Sequence, residues 1–508
     1  MQPEGSRASP GAYAPVVTVR QAAVAAGSPG AAEAAAHVLR TGGNAVDAAI
    51  AAAMAATVCE PGLASLGGGG FLAVRTPDGD EVVHDFFVDA PGRGHDQARA
   101  APELDTIVIN FGGANQVFHA GLGSLAVPGV LDGLVHAHAR HGRLDLAQVS
   151  QPAQRLALHG WVVDPIQASV LVLLAEILRL TEECWTLYSR WDQPAAPGSR
   201  LTNPALATTL EAIGSGGIRR FADLQGVPEL LGRVQAAGGD LTSADLDAYR
   251  PVEREPLRAE HLGAVLATNP APSFGGPILA EATRLLGEQG PVGFDPAGVA
   301  RLITALRGAT DTEKRMRLAG QAAAVRGTTH VSVVDADGGI ASLTQSNGSC
   351  SGIVVPGTGV QVNNVMGEED LHPGGLHTTP PGTRIGSMMA PSILDMPDGR
   401  VVALGSGGSE RIRSAMLGVL VGLVDRGEHA AGAVESPRVH WDGSGVQAEP
   451  PLAPDVATVL ESLGPVTVWD NRHLYFGGAH VAVRHPDGHV EAHGDSRRGG
   501  VARIVEVR

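Results

Sequence analysis

Gly327, Thr328 and Thr329 stand just before residues 331–335, whose alternating side chains predict a β-strand. A turn at residues 336–339 and a second alternating run at 340–344 complete a predicted hairpin. If the bond between Gly327 and Thr328 were cut, Thr328 would carry a hydroxyl and a free α-amine. Because such an amine titrates near pH ~8 and can take the hydroxyl proton, the residue would be a nucleophile with its own base. Taken alone, the same residues also fit an ordinary turn into a strand.

Further blocks occur along the chain in an order that is found in one enzyme family. They are residues 44–52, 59–62, 67–72, 126–130, 203–207, 238–242, 327–335, 344–347, 355–359, 363–364 and 494–500. Together they strongly resemble the γ-glutamyltranspeptidase family of N-terminal-nucleophile hydrolases, from about Arg20 to Ile504. The resemblance implies an amide hydrolase or acyltransferase that cuts itself between Gly327 and Thr328.

The turns and the helical segments predict an α+β fold. Asp-Gly turns at residues 78–79, 337–338, 398–399 and 487–488 each separate two β-like runs and predict four hairpins, hence two antiparallel sheets. Helices are predicted at residues 31–40, from 44 or 45, and at 133–140, 154–158, 167–181 and 203–214. The second of these is so rich in alanine that it must be buried. The simplest architecture is a four-layer αββα sandwich, which is also the N-terminal-nucleophile hydrolase fold that the resemblance implies.

The predicted cleavage divides the chain into two segments of one domain. Residues 1–327, with a flexible tail at 1–15, form a large-subunit segment, and residues 328–508 form a small-subunit segment. The charged, largely helical stretch that ends at Arg326 predicts a solvated connector that can be cut.

Composition excludes several classes of function. The chain of 508 residues has a net charge of −16 and only 4% aromatic residues, which disfavours nucleic-acid binding and an anionic membrane surface. Its three cysteines predict no disulfide framework. The first 15 residues lack the apolar core of a secretory signal, so we expect a cytoplasmic protein. No segment is long and apolar enough to be predicted as transmembrane.

Two further segments are candidates for the acyl-transfer machinery. Residues 405–411 lead into a predicted helix from Ile412, and backbone N–H groups at such a point can stabilise an oxyanion. The resemblance assigns this role to Gly407 and Gly408, or to Gly408 and Ser409 in an ungapped alignment; a simple glycine turn is the alternative. On the strand that returns from Thr328, Ser346 and Asn347 could hold the Thr328 amine. For Asn347, an exposed polar residue at the strand end is an equal alternative.

The expected substrate-binding positions depart from the family pattern. Phe87 stands where the resemblance implies an arginine that binds the substrate carboxylate, and Arg93 is displaced from that position. Glu368 replaces an expected aspartate, and Ser387 with Met388 replaces a pair of serines. Losing the guanidinium removes a bidentate, charge-assisted contact, so a more apolar acyl group is favoured.

Competing nucleophile and metal motifs are weaker. Cys350 lies within Gly-Ser-Cys-Ser-Gly, but residues 353–356 are predicted to continue as a strand, whereas a nucleophile elbow needs a helix. The histidines at 136, 138 and 141, and those at 473, 480 and 485, lack the helical spacing and acidic partner of a zinc site, so solvated side chains are expected. The sequence implies no metal and no organic cofactor.

The sequence thus predicts a self-processing enzyme that cleaves γ-glutamyl or related acyl amides through an acyl-threonine. Its expected partners are a small-molecule amide, water or an amine acceptor, and the two fragments of its own chain. A β-lactam side-chain acylase or a tailoring hydrolase of secondary metabolism is the alternative on the same fold. An uncut, non-catalytic relative is the third hypothesis.

Overall fold

The computed structural model describes residues 20–95, 102–110, 115–287, 290–318, 327–368, 371–372 and 375–507. The predicted tail and the last part of the predicted connector, residues 319–326, lie outside this range. The strands are β1 Arg20–Ala26, β2 Gly69–Arg75, β3 Glu81–Phe86, β4 Asp105–Asn110, β5 Asn115–Ala120, β6 Trp161–Val162, β7 Ser189–Arg190, β8 Gln193–Pro194, β9 Arg200–Leu201, β10 Val252–Arg254, β11 Leu257–His261, β12 Ala264–Thr268, β13 Thr328–Val334, β14 Ile340–Ser346, β15 Ser392–Asp395, β16 Val401–Gly407, β17 Val439–Trp441, β18 Val446–Ala448, β19 Val466–Val468, β20 Gly478–Arg484, β21 Val490–Gly494 and β22 Val501–Val507. The helices are α1 Pro29–Arg40, α2 Ala45–Cys59, α3 Val130–His141, α4 Leu146–His159, α5 Pro165–Leu173, α6 Ala175–Leu178, α7 Glu182–Tyr188, α8 Pro204–Gly214, α9 Val227–Ala236, α10 Ser243–Ala248, α11 Gly275–Gly287, α12 Pro296–Leu318, α13 Arg411–Val424, α14 Ala430–Glu435 and α15 Pro454–Leu463.

Two antiparallel sheets form the centre of the fold. The order of one is β10-β3-β2-β14-β13-β1-β22, and that of the other is β11-β12-β15-β16-β20-β21. The four predicted hairpins are confirmed: β2–β3 and β13–β14 lie in the first sheet, and β15–β16 and β20–β21 in the second. The hairpin that starts at Thr328 therefore occupies the middle of the seven-stranded sheet.

Three hydrophobic cores establish the predicted αββα layers. A small core of mostly alanine, valine and isoleucine side chains, including Ala23, Val334 and Ala482, lies between the sheets. A larger core joins the other face of the seven-stranded sheet to α1, α2 and the helices up to α10. A third core joins the six-stranded sheet to α11–α15. The short side chains between the sheets allow the close approach that brings β13 against β16.

The helix predictions are confirmed for α1, α2, α3, α4 and α8, with boundaries extended by several residues in α3 and α4. Every residue of α2 is buried, as its alanine content predicts. Asn44 and Asp47 form a capping box at its N-terminus. The single helix predicted at 167–181 is wrong, because the chain forms α5 and α6 there, separated at Leu174, and leaves the helical conformation after Leu178. The Thr181 hydroxyl accepts the N–H of Cys184 and caps a further helix, α7, which begins just beyond the predicted range.

The strand predicted at residues 353–356 is also wrong. Only an isolated bridge between Val354 and Gln361 forms there. None of the described helices is long and apolar enough to cross a membrane.

A buried network of charges fixes the C-terminal segment beneath the candidate site. Arg438 pairs with Asp495, and Arg497 donates to Glu449 at 2.7 Å and to Asp495 at 3.2 Å. Asp495 also accepts the N–H of Ala479 on β20 at 2.8 Å. Each charge thus has a partner, which a buried ion needs.

We predict that Glu449→Gln lowers the free energy of unfolding by about 3 kcal/mol, because it removes the nearer of the two carboxylates that pair with the buried Arg497 guanidinium. Urea denaturation measures this change. Glu461→Gln, on the exposed part of α15, is the matched control and should change stability by less than about 0.5 kcal/mol. Equal stability of the two variants would contradict the structural role of the network.

Candidate active site

Thr328 is the first residue of β13 and is almost completely buried. It pairs with Ser346, the last residue of β14. Its Oγ1 has no hydrogen-bond partner among the described residues, and the same holds for the side-chain amide of Asn347. Buried polar atoms are normally paired, so exceptions that gather at one place mark a functional site.

The Gly327 carbonyl, which belongs to the predicted scissile bond, is held by the opposite strand. The Ser346 hydroxyl donates a hydrogen bond to it and accepts the N–H of Gly348 at 3.0 Å. Gly327 also packs directly on Gly348, since a Cβ on Gly327 would lie 1.6 Å from the Gly348 oxygen. The bond before Thr328 is therefore fixed in position beside a hydroxyl donor.

The turn between β16 and α13 brings backbone groups next to Thr328. A Cβ on Gly407 would lie 2.3 Å from the Thr328 carbonyl oxygen, so only glycine permits this approach. Gly408 and Ser409 both have positive φ, +134° and +57°. Within the described part of the chain, their N–H groups donate no hydrogen bond, whereas their carbonyls accept the N–H groups of Arg411 and Ile412. This turn thus offers two open amide donors.

Glu60 is a buried acid beside the nucleophile that sequence reasoning missed. Its carboxylate accepts the Ser28 hydroxyl at 2.7 Å and is hydrogen-bonded to the Thr329 side chain. Burial raises the pKa of Glu60 to about 7, although these two hydroxyls favour its charged form. The family block at 59–62 contained Glu60, but nothing in the block indicated that the acid would lie next to Thr329.

Two arginines near Thr328 were also missed. Arg498 Nη1 lies 3.4 Å from the Thr328 carbonyl oxygen, and Arg411 Nε donates to the Tyr475 carbonyl at 2.9 Å. Burial and the neighbouring Arg411 lower the pKa of Arg498 to about 10, so its guanidinium group is charged at neutral pH. The two arginines give this end of the site a positive charge.

A partly open cavity with about 790 Å³ of empty space adjoins these groups. Its lining includes Thr328, Gly407 and the two arginines, together with an apolar wall. The apolar wall consists of Leu63, Phe118, Ile166, Val170, Leu173 and Leu174. Four of these recur at spacings of three or four residues along α5 and just beyond it, which is a helical stripe that the sequence displays. Gln167, whose Oε1 has no described hydrogen-bond partner, adds a polar group to the wall.

The five predicted substrate-binding residues do not line this cavity. Phe87 is fully buried and stacks on Phe71, with ring centroids 5.6 Å apart. Glu368 lies against Gly348, since a Cβ on Gly348 would lie 2.5 Å from Glu368 Oε1. Their roles as substrate contacts stay predictions.

The other three predicted substrate-binding residues are also buried; they are Asn347, Ser387 and Met388. Asn347, predicted as an alternative to be exposed, is buried, and its N–H donates to the Leu63 carbonyl at 3.1 Å. The Ser387 hydroxyl accepts the N–H of Met389 at 3.1 Å, and Met388 lies in the core of the six-stranded sheet. The displaced Arg93 packs on Gly382. Among the described residues that line the cavity, Arg411 and Arg498 carry the guanidinium groups, and both lie at the nucleophile.

The structure does not support Cys350 as a competing nucleophile. Cys350 has a positive φ of +61°, as residues in nucleophile elbows do, but no helix follows it. Burial raises the pKa of its thiol well above the usual value, which suppresses the thiolate. The expectation of solvated histidines is wrong for His480, which is buried and accepts the N–H of Asp495.

Comparison with known proteins agrees with this geometry. The sequence profile of the family described as Gamma-glutamyltranspeptidase matches residues 31–307 and 295–505. The chain belongs to the γ-glutamyltranspeptidase family. It is therefore an enzyme of the N-terminal-nucleophile type, and the α+β fold predicted from its sequence is confirmed.

Members with two different activities are similar to it. The Acylase ACY 1 proenzyme of Pseudomonas sp. (strain V22) is 33% identical over 91% of this chain and 89% of its own length. The Glutathione hydrolase proenzyme of Escherichia coli (strain K12) is 27% identical over 95% of this chain and 91% of its own. The crystal structure of cephalosporin acylase from Bacillus halodurans superposes with a TM-score of 0.80 at 25% identity, covering 99% of this chain and 98% of that one.

Glu60 generates a pH-dependent stability that can be measured. Its pKa in the folded chain is about 7, against an ordinary value of 4.5, so the folded state binds the proton more tightly than the unfolded state. The folded chain should therefore lose stability as the pH rises from about 4.5 to 7, and no further loss from this group should occur above that range. Thermal unfolding of the parent and of Glu60→Gln across this range measures the effect. The difference in melting temperature between the two should change over this window; a constant difference would contradict a raised pKa.

Proposed function

We propose that this family member cuts itself before Thr328 and then uses the new terminal threonine to hydrolyse or transfer acyl groups from amides. The observation that carries the proposal is the unpaired Thr328 hydroxyl next to a Gly327 carbonyl that already accepts the Ser346 hydroxyl. A buried nucleophile and a polarised carbonyl are thus adjacent in sequence and fixed in space.

Self-cleavage begins when Thr328 Oγ1 attacks the Gly327 carbonyl carbon. The negative charge that develops on the carbonyl oxygen is stabilised by the Ser346 hydroxyl, which is already in place. The peptide C–N bond breaks, the nitrogen takes up the proton that the Thr328 hydroxyl gives up on attack, and an ester links Gly327 to Thr328 Oγ1. Water then opens the ester and leaves a Gly327 carboxylate and a free Thr328 amine.

In catalysis the same Oγ1 attacks the acyl carbonyl of the substrate, while the new α-amine takes the hydroxyl proton. We assign the oxyanion to the N–H groups of Gly408 and Ser409, because these are the open donors in the turn that contacts Thr328. The amine then passes the proton to the leaving group, and an acyl ester remains. Water or an amine acceptor attacks this ester and regenerates the threonine.

The cavity supports an acylase activity on apolar acyl groups in substrates that also carry a carboxylate. Its wall is formed by the apolar side chains of α5 and Phe118, and Arg411 with Arg498 supply positive charge at the nucleophile. Phe87, stacked on Phe71, takes the position where the resemblance implies a carboxylate-binding arginine. A γ-glutamyl amide is the second candidate, since Glu368 beside Gly348 could pair with a substrate ammonium group. The proenzymes and the acylase named above agree with both candidates.

Replacing the nucleophile tests the first step. Thr328→Ala should remain one polypeptide and should not hydrolyse amides, whereas Thr328→Ser, which keeps a hydroxyl, should still be cut and active at a lower rate. Denaturing gels over time and an anilide hydrolysis assay measure both properties. A cut and active Thr328→Ala protein would overturn the assignment, and a parent protein that stays uncut and inactive would favour the non-catalytic hypothesis.

Removing the hydroxyl that holds the scissile carbonyl should slow self-cleavage. Ser346→Ala is expected to lower the cleavage rate by roughly a hundredfold, because one oxyanion donor is lost. Ser342→Ala is the matched control: this serine lies on the same strand, but its hydroxyl donates to the Leu404 carbonyl at 2.9 Å. Equal cleavage rates in the two variants would argue against the role of Ser346.

A substrate series distinguishes the two acyl classes. The value of kcat/KM should be at least about tenfold higher for hexanoyl- or glutaryl-p-nitroanilide than for γ-glutamyl-p-nitroanilide. Val170→Asn, which places an amide in the apolar wall, should lower kcat/KM for the hexanoyl substrate by about tenfold. Val172→Asn on the exposed side of α5 should leave it unchanged. A preference for the γ-glutamyl substrate would favour the second candidate.

A further inference from the structure

A cluster of histidines and one acid lies away from the candidate active site, where the edge of the seven-stranded sheet meets α3. His84 comes from β3, His136 and His141 from α3, and Glu253 from the edge strand β10. His84 is fully buried, whereas His136 and Glu253 are about one-third exposed. The cluster is thus closed on one side and accessible from the other.

The distances between possible ligand atoms fit a bound metal ion. Ligand atoms of His84, His136 and Glu253 lie within 4.8 Å of one another. The Nε2 atoms of His84 and His141 are 2.9 Å apart, and His136 Nε2 is 3.2 Å from Glu253 Oε1. In a tetrahedral site with Zn–N bonds of ~2.0–2.1 Å, neighbouring donors are about 3.3 Å apart.

Protein groups alone do not satisfy His84. Its Nε2 faces another imidazole nitrogen, so one of the two must act as donor and the other as acceptor. Its Nδ1 has no hydrogen-bond partner among the described residues. A bound cation would instead accept the lone pairs of both Nε2 atoms and would replace this single N–H···N contact.

We propose that His84, His136 and Glu253 bind one divalent transition-metal ion such as Zn²⁺, with His141 as the fourth donor. Imidazole and carboxylate ligands suit Zn²⁺ better than Mg²⁺ or Ca²⁺, which prefer sites made of oxygen atoms. The ion would tie the edge strand β10 and helix α3 to β3 and would stabilise the folded chain by its binding free energy.

Arg140 is the charged group that opposes binding. Its Nε donates to Glu253 Oε1 at 3.0 Å, and its side chain is largely exposed. Metal binding therefore requires Arg140 to release this oxygen and turn into solvent. Removing the charge of Arg140 should therefore tighten metal binding, whereas removing a ligand should weaken it.

The donor set explains why sequence reasoning rejected the cluster. The acid on the histidines' own helix, Asp132, lies four residues before His136, but its carboxylate is bound to Arg220 and to the N–H of Phe221. Glu253 supplies the acid from 117 residues beyond His136, and His138 does not belong to the site, since its Nε2 binds the Leu144 carbonyl at 2.9 Å.

The test measures Zn²⁺ affinity of the full chain, made without an affinity tag and stripped with a chelator. Competition with a chromogenic chelator gives the stoichiometry and Kd, and the visible spectrum of the Co²⁺ form reports nitrogen ligation. We expect one ion per chain, at least about tenfold weaker binding in His136→Ala and in Glu253→Gln, and tighter binding in Arg140→Gln. His159→Ala, which removes an exposed histidine of α4 outside the cluster, should bind as the parent does.

Thermal unfolding gives a second readout that does not depend on activity. Zn²⁺ should raise the melting temperature of the parent and of His159→Ala, but not that of His136→Ala. The proposal is overturned if the parent binds no stoichiometric Zn²⁺, or if His136→Ala and Glu253→Gln bind it as tightly as the parent.

Discussion

The contact on which the site depends is the hydrogen bond from the Ser346 hydroxyl to the Gly327 carbonyl, across the paired ends of β13 and β14. Antiparallel pairing places Thr328 directly opposite Ser346, so a shift of the register by one residue would turn both side chains to the other face. The hairpin cannot shift, because it lies in the middle of a seven-stranded sheet with β1 and β2 on its flanks. The bond to be cut is thus fixed by the most constrained element of the fold.

Around this contact the structure retains buried polar groups that a purely structural core would avoid. The Thr328 hydroxyl and the Asn347 amide have no described partner, and burial holds Glu60 partly protonated near neutral pH. Such groups lower stability, and proteins keep them where chemistry needs them. The buried charges of Arg438, Asp495, Arg497 and Glu449, in contrast, are paired with one another.

The sequence predicted those elements that depend on interactions between neighbouring residues. The Asp-Gly turns placed all four hairpins, and the alanine content of α2 predicted its complete burial. The break between α5 and α6 at Leu174 was not predictable, since no glycine or proline marks it in the sequence. The contacts that bring three groups to Thr328 join distant segments of the chain; these groups are Glu60, Arg498 and the apolar wall of α5. The periodicity of a sequence carries no information about such contacts. For the same reason Glu253 could not be joined to His84 and His136 from the sequence.

The central claim is that the Thr328 hydroxyl cuts its own chain and then carries the acyl group. Intact mass spectrometry of the purified protein, before and after a brief, quenched incubation with a slowly hydrolysed acyl amide, tests both parts in one experiment. The account predicts two fragments that meet between Gly327 and Thr328, with the acyl mass on the terminal threonine of the smaller one. Cleavage at another bond, or the acyl mass on Cys350 or any other residue, would contradict it.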